Sequence, residues 1–309
     1  MMELLRLKPV FKDTIWGGSA LHEFGYEEAS AEAGECWGIS AHPNGDCEIL
    51  NGEAKGMTLS KVYQEHRDWF GNIDEDVFPL LIKIIGAKED LSIQVHPDDA
   101  YAAAHENGAL GKTECWYILD CKKDATIIIG HHAKDKEELK EMILSGRYQE
   151  LIREIPIKPG DFFFIKPGCL HAIKGGTLLL ETQQSSDVTY RVYDYDRMTN
   201  GKKRPLHVQE SIDVLTAPFV PDQSKPEQMA LTGATITTYA SCPYFTVQKW
   251  EVENEYSFVN DKPFLNVSII EGAGTINGET VKKGDHLILT AECRNAVMKG
   301  SMKMMVSFL

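Results

Sequence analysis

Apolar residues along the chain fall mainly into short β-branched and aromatic runs separated by Gly, Pro or Asp, and seldom into the three-to-four spacing of an amphipathic helix. The runs that predict strands cover residues 80–85, 91–95, 115–119, 126–129, 162–165, 177–181, 189–193, 245–250, 265–270 and 286–290. Helix signals are few. The strongest covers 135–154, where Asp135 suits the N-cap, Glu138 completes a capping box, and Leu139, Met142, Ile143 and Leu151 line one face. A second covers 59–70. A short third starts at Asp98, because Pro97 disfavours helix for the residue before it and carboxylates suit a helix start. Many short strands at modest spacing predict an antiparallel sandwich or barrel, not a βαβ sheet. Residues 217–229, with Pro218, Pro221 and Pro226 among polar neighbours, read as a connection between two such units.

A search for internal repeats sharpens this. Residues 158–173 align without gaps to residues 282–297, at an offset of 295 − 171 = 124. In each copy a Gly-Asp turn precedes an apolar strand and a small loop, and then comes His171 in the first copy and Asn295 in the second. The pattern resembles the second motif of the cupin jelly roll, P-G-D-x-x-x-I-P-x-G-x-x-H. That resemblance implies a mainly β chain of two cupin-like jelly-roll β-barrels, with a few helices inserted in or flanking the first. The expected division is a catalytic domain at 1–230 and a smaller C-terminal barrel at 231–309 that has lost the ligand position and holds no metal.

Composition narrows the functional classes. With 309 residues, 43% apolar and 9% aromatic, the chain can bury a large core, which argues against wholesale disorder. The start of the chain lacks a basic segment followed by an apolar stretch, and no later run approaches membrane-spanning length, so a cytoplasmic protein is expected. The 7 cysteines are scattered with no C-x-x-C pair, which disfavours both a disulfide framework and a thiolate metal site. The net charge of -14 makes nucleic acid and anionic membrane improbable partners. An anionic small substrate would need a local group of Lys or Arg inside one cleft.

Gln94 and His96 are two apart, so on a strand both side chains leave the same face. Glu114 follows 114 − 96 = 18 residues later at a strand start, and His171 lies 171 − 114 = 57 further on, in the repeat motif. Two imidazoles, a carboxylate and an amide oxygen suit Zn²⁺ with one position open for water or substrate. His105, His131, His132 and His207 lack such company and are expected to be surface or packing residues.

Several strings are similar to those of type I mannose-6-phosphate isomerases, especially the shorter bacterial form: Trp16-Gly-Gly18, Glu35-Cys-Trp-Gly-Ile-Ser-Ala-His42, Phe78-Pro-Leu-Leu-Ile-Lys-Ile-Ile85, Leu91 to Asp99, Gly111-Lys-Thr-Glu-Cys-Trp-Tyr117, Pro167 to His171, and Tyr190-Arg-Val-Tyr-Asp-Tyr-Asp-Arg197. They reach from near the start to about residue 207, while the last third matches only as a generic cupin. The resemblance implies a zinc-dependent aldose-ketose isomerase that interconverts mannose 6-phosphate and fructose 6-phosphate through an enediolate. It associates Gln94, His96, Glu114 and His171 with one zinc per chain, although the Gln is often omitted in the short form. It makes Arg191 catalytic, where the plainer reading is a salt bridge to Asp194 or Asp196. It also puts Ser92, Lys83 and Lys112 near the substrate, where they would bind phosphate. Lys112 and Glu181 are the candidates for the proton-transferring base. The expected partner is a small-molecule sugar phosphate, with the chain a monomer or homodimer. Two other readings are an iron oxygenase, which the order Gln94 before His96 departs from, and a carbohydrate-binding module without catalysis, which leaves Arg191 and Lys112 unexplained.

Overall fold

A computed structural model describes residues 2–199 and 201–309. The chain is mainly β, and its strands form three large antiparallel sheets. A six-stranded sheet runs in the order Phe162–Ile165, Glu114–Cys121, Thr177–Gln184, Leu80–Ala87, Ala33–Ile39, Val10–Asp13. A five-stranded sheet runs Ile152–Pro156, Thr126–His131, His171–Ala172, Ile93–Val95, Tyr190–Tyr193. Between them lies an apolar filling that includes Trp116, Ile118, Ile127, Ile129, Ile165 and Leu179. The outer face of the five-stranded sheet is covered by the helices Lys136–Leu144 and Val208–Val214, through Leu139, Met142, Ile143 and Ile212.

The third sheet has nine strands and holds the C-terminal part of the chain. Its long strands Thr246–Val259, Asn295–Phe308 and Phe264–Ile276 pair side by side, and beyond them come His286–Thr290 and then Leu4–Lys8. The first strand of the chain therefore sits in the last sheet, with Leu5 opposite Ile288. The six-stranded sheet packs its outer face on this one, through Cys36, Ile82, Ile84, Cys115 and Leu180 against Leu5, Phe264 and Ile288. Both faces of the six-stranded sheet are thus buried. Among the described residues no helix is long and apolar enough to cross a membrane.

The internal repeat is reproduced bond for bond. Gly160 and Gly284 both adopt φ 91, a conformation that favours glycine. Asp161 N–H donates to Lys158 O (3.1 Å) as Asp285 N–H does to Lys282 O (3.0 Å). The Gly160 and Gly284 N–H groups donate to Ile118 O and Ile269 O, at 2.9 Å in each case. Both aspartate side chains accept from the lysine N–H three residues back, also at 2.9 Å.

Four expectations change. The helix expected over 135–154 ends at Leu144, where Gly146 N–H and Arg147 N–H turn back onto Ile143 O (3.1 Å) and Met142 O (2.9 Å) in a Schellman closure. A single turn, Tyr148–Leu151, and a strand follow. Asp135 does cap, accepting from Glu138 N–H at 2.9 Å, but Glu138 bonds Lys134 N–H (2.8 Å), one residue short of a capping box. The 59–70 helix breaks at His66 into Leu59–Glu65 and a 3-10 turn, Arg67–Phe70. The connection 217–229 gives way at Glu227 to an edge strand, Glu227–Leu231.

Leu5 is completely buried where the first strand meets the C-terminal sheet. Leu5→Ala is expected to cost about 2 to 5 kcal/mol in denaturant unfolding. A loss under about 1 kcal/mol would mean that this strand does not secure the sheet.

Candidate metal centre

Register puts the site together. Gln94 is the direct cross-strand partner of His171 on one side and of Arg191 on the other, so a row His171, Gln94, Arg191 crosses three strands of the five-stranded sheet. On the facing sheet a second row runs Trp116, Glu181, Lys83, Trp37. Glu114 stands two residues before Trp116, on the same face of its strand. His96 follows Gln94 by two, just past the end of its strand.

His96, Glu114 and His171 form the one group of three metal-ligating side chains found among the described residues, with ligand atoms within 4.8 Å of one another. His96 Nε2 lies 3.4 Å from Glu114 Oε2, and His171 Nε2 lies 3.4 Å from Glu114 Oε1. The other ring nitrogens are committed, since His96 Nδ1 donates to Val188 O and His171 Nδ1 to Cys169 O, both at 2.9 Å. This fixes each tautomer and turns the Nε2 lone pairs toward the carboxylate. Burial first, then the Lys112 charge, pushes His96 down to about 3, and burial likewise lowers His171, so both rings stay neutral. His96 Nε2 and both Glu114 oxygens are buried without a hydrogen bond. Acceptors that face acceptors in a dry site need a cation between them. The donor set therefore fits a divalent metal.

Gln94 is the looser member. Its Nε2 lies 3.4 Å from His171 Nε2, and its Oε1 accepts from Ser92 Oγ at 3.3 Å. A half-turn of the amide exchanges these two atoms and brings oxygen beside the imidazole.

The charges around the centre are interleaved. Lys112 Nζ pairs with Glu114 Oε2 at 2.9 Å, at an angle that makes no hydrogen bond, and lies 3.9 Å from Glu181 Oε1. Lys83 Nζ sits between Glu35 (3.4 Å) and Glu181 (3.5 Å) and over the Trp37 ring. Burial alone would raise Glu114, yet Lys112 and His96 hold it well below the usual carboxylate range. Burial followed by the Glu114 charge raises Glu181, whose Oε2 accepts from Trp116 Nε1 at 2.9 Å while Oε1 has no hydrogen bond.

A cavity of about 200 Å³ opens beside this cluster. Ser92, Gln94, Lys83, Lys112, Glu181 and Arg191 all line it. Asp194 pairs with Arg197 and Arg204, and Asp196 with Lys203, so the salt bridge considered for Arg191 does not form. His207, expected to be a surface or packing residue, accepts from Arg191 N–H at 3.1 Å and donates its own N–H to Arg191 O at 2.9 Å. Glu35, Trp37 and Arg204 also line the cavity and were not singled out in the sequence. Glu35 and Trp37 lie within the segment Glu35-Cys-Trp-Gly-Ile-Ser-Ala-His42, whereas Arg204 carries no local signal.

The chain matches the family models "Phosphomannose isomerase type I, catalytic domain" over residues 4–117 and "Mannose-6-phosphate isomerase, cupin domain" over residues 235–309. It is 50% identical to the mannose-6-phosphate isomerase ManA of Bacillus subtilis over 312 residues, which covers 99% of each chain. A crystal structure of the mannose 6-phosphate isomerase from Bacillus subtilis superposes with a TM-score of 0.97 at 48% identity, over 99% of this chain and 100% of that one. A distant mannose 6-phosphate isomerase solved with zinc and yttrium bound shares the fold at 14% identity, with a TM-score of 0.77 over 99% of both chains.

A divalent metal added to chelator-stripped protein is expected to raise its stability by about 2.7 kcal/mol at a hundredfold excess over Kd, read as an upward shift of the unfolding midpoint. In Glu114→Gln the shift should vanish. An equal shift in that variant would place the metal elsewhere.

Proposed function

The chain belongs to the type I phosphomannose isomerase family, and from that premise we propose that it interconverts mannose 6-phosphate and fructose 6-phosphate with one Zn²⁺ held by His96, Glu114 and His171, and Gln94 as a fourth ligand. The observation that carries this reading is the convergence of two neutral imidazoles and an unbonded carboxylate directly behind Gln94 and Lys112, which line a cavity that Lys83, Arg191 and Arg204 also face. Zinc is favoured by the His and carboxylate donor set, and by the zinc reported in the distant isomerase of the same fold. When bound, such a cation acts as a Lewis acid on carbonyl and hydroxyl oxygens. The cupin-like part at 1–230 is proposed as the catalytic domain and 231–309 as the second domain, with Leu4–Lys8 lent to the nine-stranded sheet.

Isomerisation requires a proton to move between C1 and C2 and negative charge to be stabilised on the enediolate between them. Arg191, with no ion pair among the described residues, faces the cavity from the strand beside Gln94 and supplies positive charge to the substrate. Glu181 is favoured over Lys112 for the proton transfer, because its Oε1 is free of hydrogen bonds whereas Lys112 is engaged with Glu114 at 2.9 Å. Lys112 and Lys83 hold the carboxylates in place, and Trp116 orients Glu181 through its other oxygen. Ser92 sets the Gln94 amide.

Chelation is expected to abolish isomerisation of mannose 6-phosphate in a coupled assay, and Zn²⁺ to restore it. Recovery with Fe²⁺ but not Zn²⁺ would overturn the choice of metal. Arg191→Ala should lower kcat/KM by about a hundredfold or more while leaving zinc content unchanged. Wild-type turnover in that variant would remove Arg191 from the mechanism.

A further inference from the structure

The resemblance assigned phosphate to Lys83, Lys112 and Ser92, and the geometry points elsewhere. Both ammonium groups are deeply buried and already committed to carboxylates, Lys83 to Glu35 and Glu181 and Lys112 to Glu114. A phosphate seeking them would have to displace a partner already in place, and it would meet three carboxylates. Ser92 Oγ is spent on Gln94.

The facing wall offers free donors. Arg191 makes no side-chain hydrogen bond or ion pair among the described residues, and Arg204 lines the same cavity. Arg204 is clamped from behind: Nε donates to Asp194 Oδ2 at 2.7 Å and Nη2 to Asp194 Oδ1 at 2.6 Å. This two-point hold fixes the plane of the guanidinium and leaves Nη1 unbonded. Arg197 closes the other side of the buried Asp194 carboxylate, and its Nη1 is tied to Asp90 O. The remaining carboxylate at the cavity, Asp187, is taken by Asn44 Nδ2 (2.6 Å) and faces His42 (3.6 Å). Mutual repulsion between Arg191 and Arg204, acting after burial, lowers Arg191, which marks the two as neighbours with no carboxylate between them strong enough to cancel it.

We propose that Arg204 and Arg191 form a two-guanidinium clamp for the phosphate monoester of the substrate, with Asp194 the positioning residue that holds Arg204 rigid, and that Lys83 and Lys112 serve the carboxylates instead. The proposal rests on the sugar-phosphate reading of the site. It accounts for the two charged walls of one cavity: the phosphate end meets the arginines, and the sugar carbons meet Glu181 and the metal ligands. A planar fork suits phosphate oxygens better than a point charge does, so Arg204→Lys should not substitute fully.

Binding of inorganic phosphate to the zinc-loaded protein, measured by calorimetry, tests this separately from turnover. Arg204→Gln is expected to weaken phosphate about tenfold or more and to raise KM for mannose 6-phosphate by a similar factor, with kcat within about threefold and zinc content unchanged. Arg204→Lys should fall between wild type and Arg204→Gln. Asp194→Asn should weaken phosphate in the same direction if it folds, and the two Arg204 variants carry the test if it does not. Phosphate affinity within about twofold of wild type in Arg204→Gln would overturn the clamp, as would a loss confined to kcat. A wild type that binds phosphate through Arg204 yet does not isomerise mannose 6-phosphate would instead overturn the proposed function and leave the clamp standing.

Discussion

A carboxylate at the bottom of a β-sandwich, shut off from water with neither oxygen hydrogen-bonded, is the feature around which the first half of this protein is organised. Burying the charge of Glu114 is costly unless opposite charge is brought to it. Lys112 brings one ammonium to 2.9 Å, and the two imidazoles present lone pairs that a cation can bridge. Lys112 in turn needs Glu181, Glu181 needs Lys83, and Lys83 needs Glu35. The chain of alternating charges runs from Glu114, beside the two imidazoles, to Glu35 in the wall of the cavity, and each member is ordered by the next. Removing one therefore leaves a buried charge unpaired, so these side chains behave as a unit.

The two-residue period of strands is what permits such a cluster inside an apolar filling. On the inward face, Ile118, Trp116 and Glu114 follow one another along one strand, and Leu179, Glu181 and Gln183 along its neighbour. Apolar side chains close one end of the interior, and polar ones gather at the other. The opposite faces are also buried, Ile93 and Val95 beneath the helices and Cys115 and Tyr117 against the C-terminal sheet. With neighbours on both faces, the strands that carry Gln94, Glu114 and His171 have little room to shift register, and a slip of one residue would turn these side chains outward.

This organisation explains what the sequence disclosed and what it withheld. The pairing of Gln94 with His96 was legible because strand parity acts between near neighbours, and His171 was legible because the repeat places it after a turn that can be aligned. Arg204 was not, because its importance comes from Asp194 and from a cavity wall built by distant strands. Asp194 itself appeared in the sequence only as a possible partner for Arg191, the one arginine nearby that it does not clamp. The placement of Leu4–Lys8 beside His286–Thr290 was equally invisible, since nothing local to either segment encodes a pairing across almost the whole chain. The helix expected to run through 135–154 failed for a local reason: the Ser145-Gly146 closure outweighed a helical pattern carried beyond it by Leu151 alone.

The second copy of the repeat shows which part of the motif belongs to folding and which to chemistry. Gly284 and Asp285 keep the turn, its φ angle and its hydrogen bonds, because a hairpin of this shape needs them wherever it occurs. The strand bonded to that turn through Ile269 corresponds to the one bonded to Gly160 through Ile118, and stepping back four residues from each leads to Leu265 in place of Glu114. Asn295 stands in place of His171. Once the carboxylate is gone, the counter-charges have no reason to persist, and the corresponding interior is filled by Val267, Ile269, Leu287 and Leu289. The C-terminal, nine-stranded sheet instead covers the back of the strands that carry Glu114 and Glu181, with Phe264 and Ile288 packed in the same cluster as Cys115 and Leu180. Its contribution to the site is mechanical: it makes the far face of those strands apolar and immobile, which is the condition under which a buried carboxylate can be held within reach of two imidazoles.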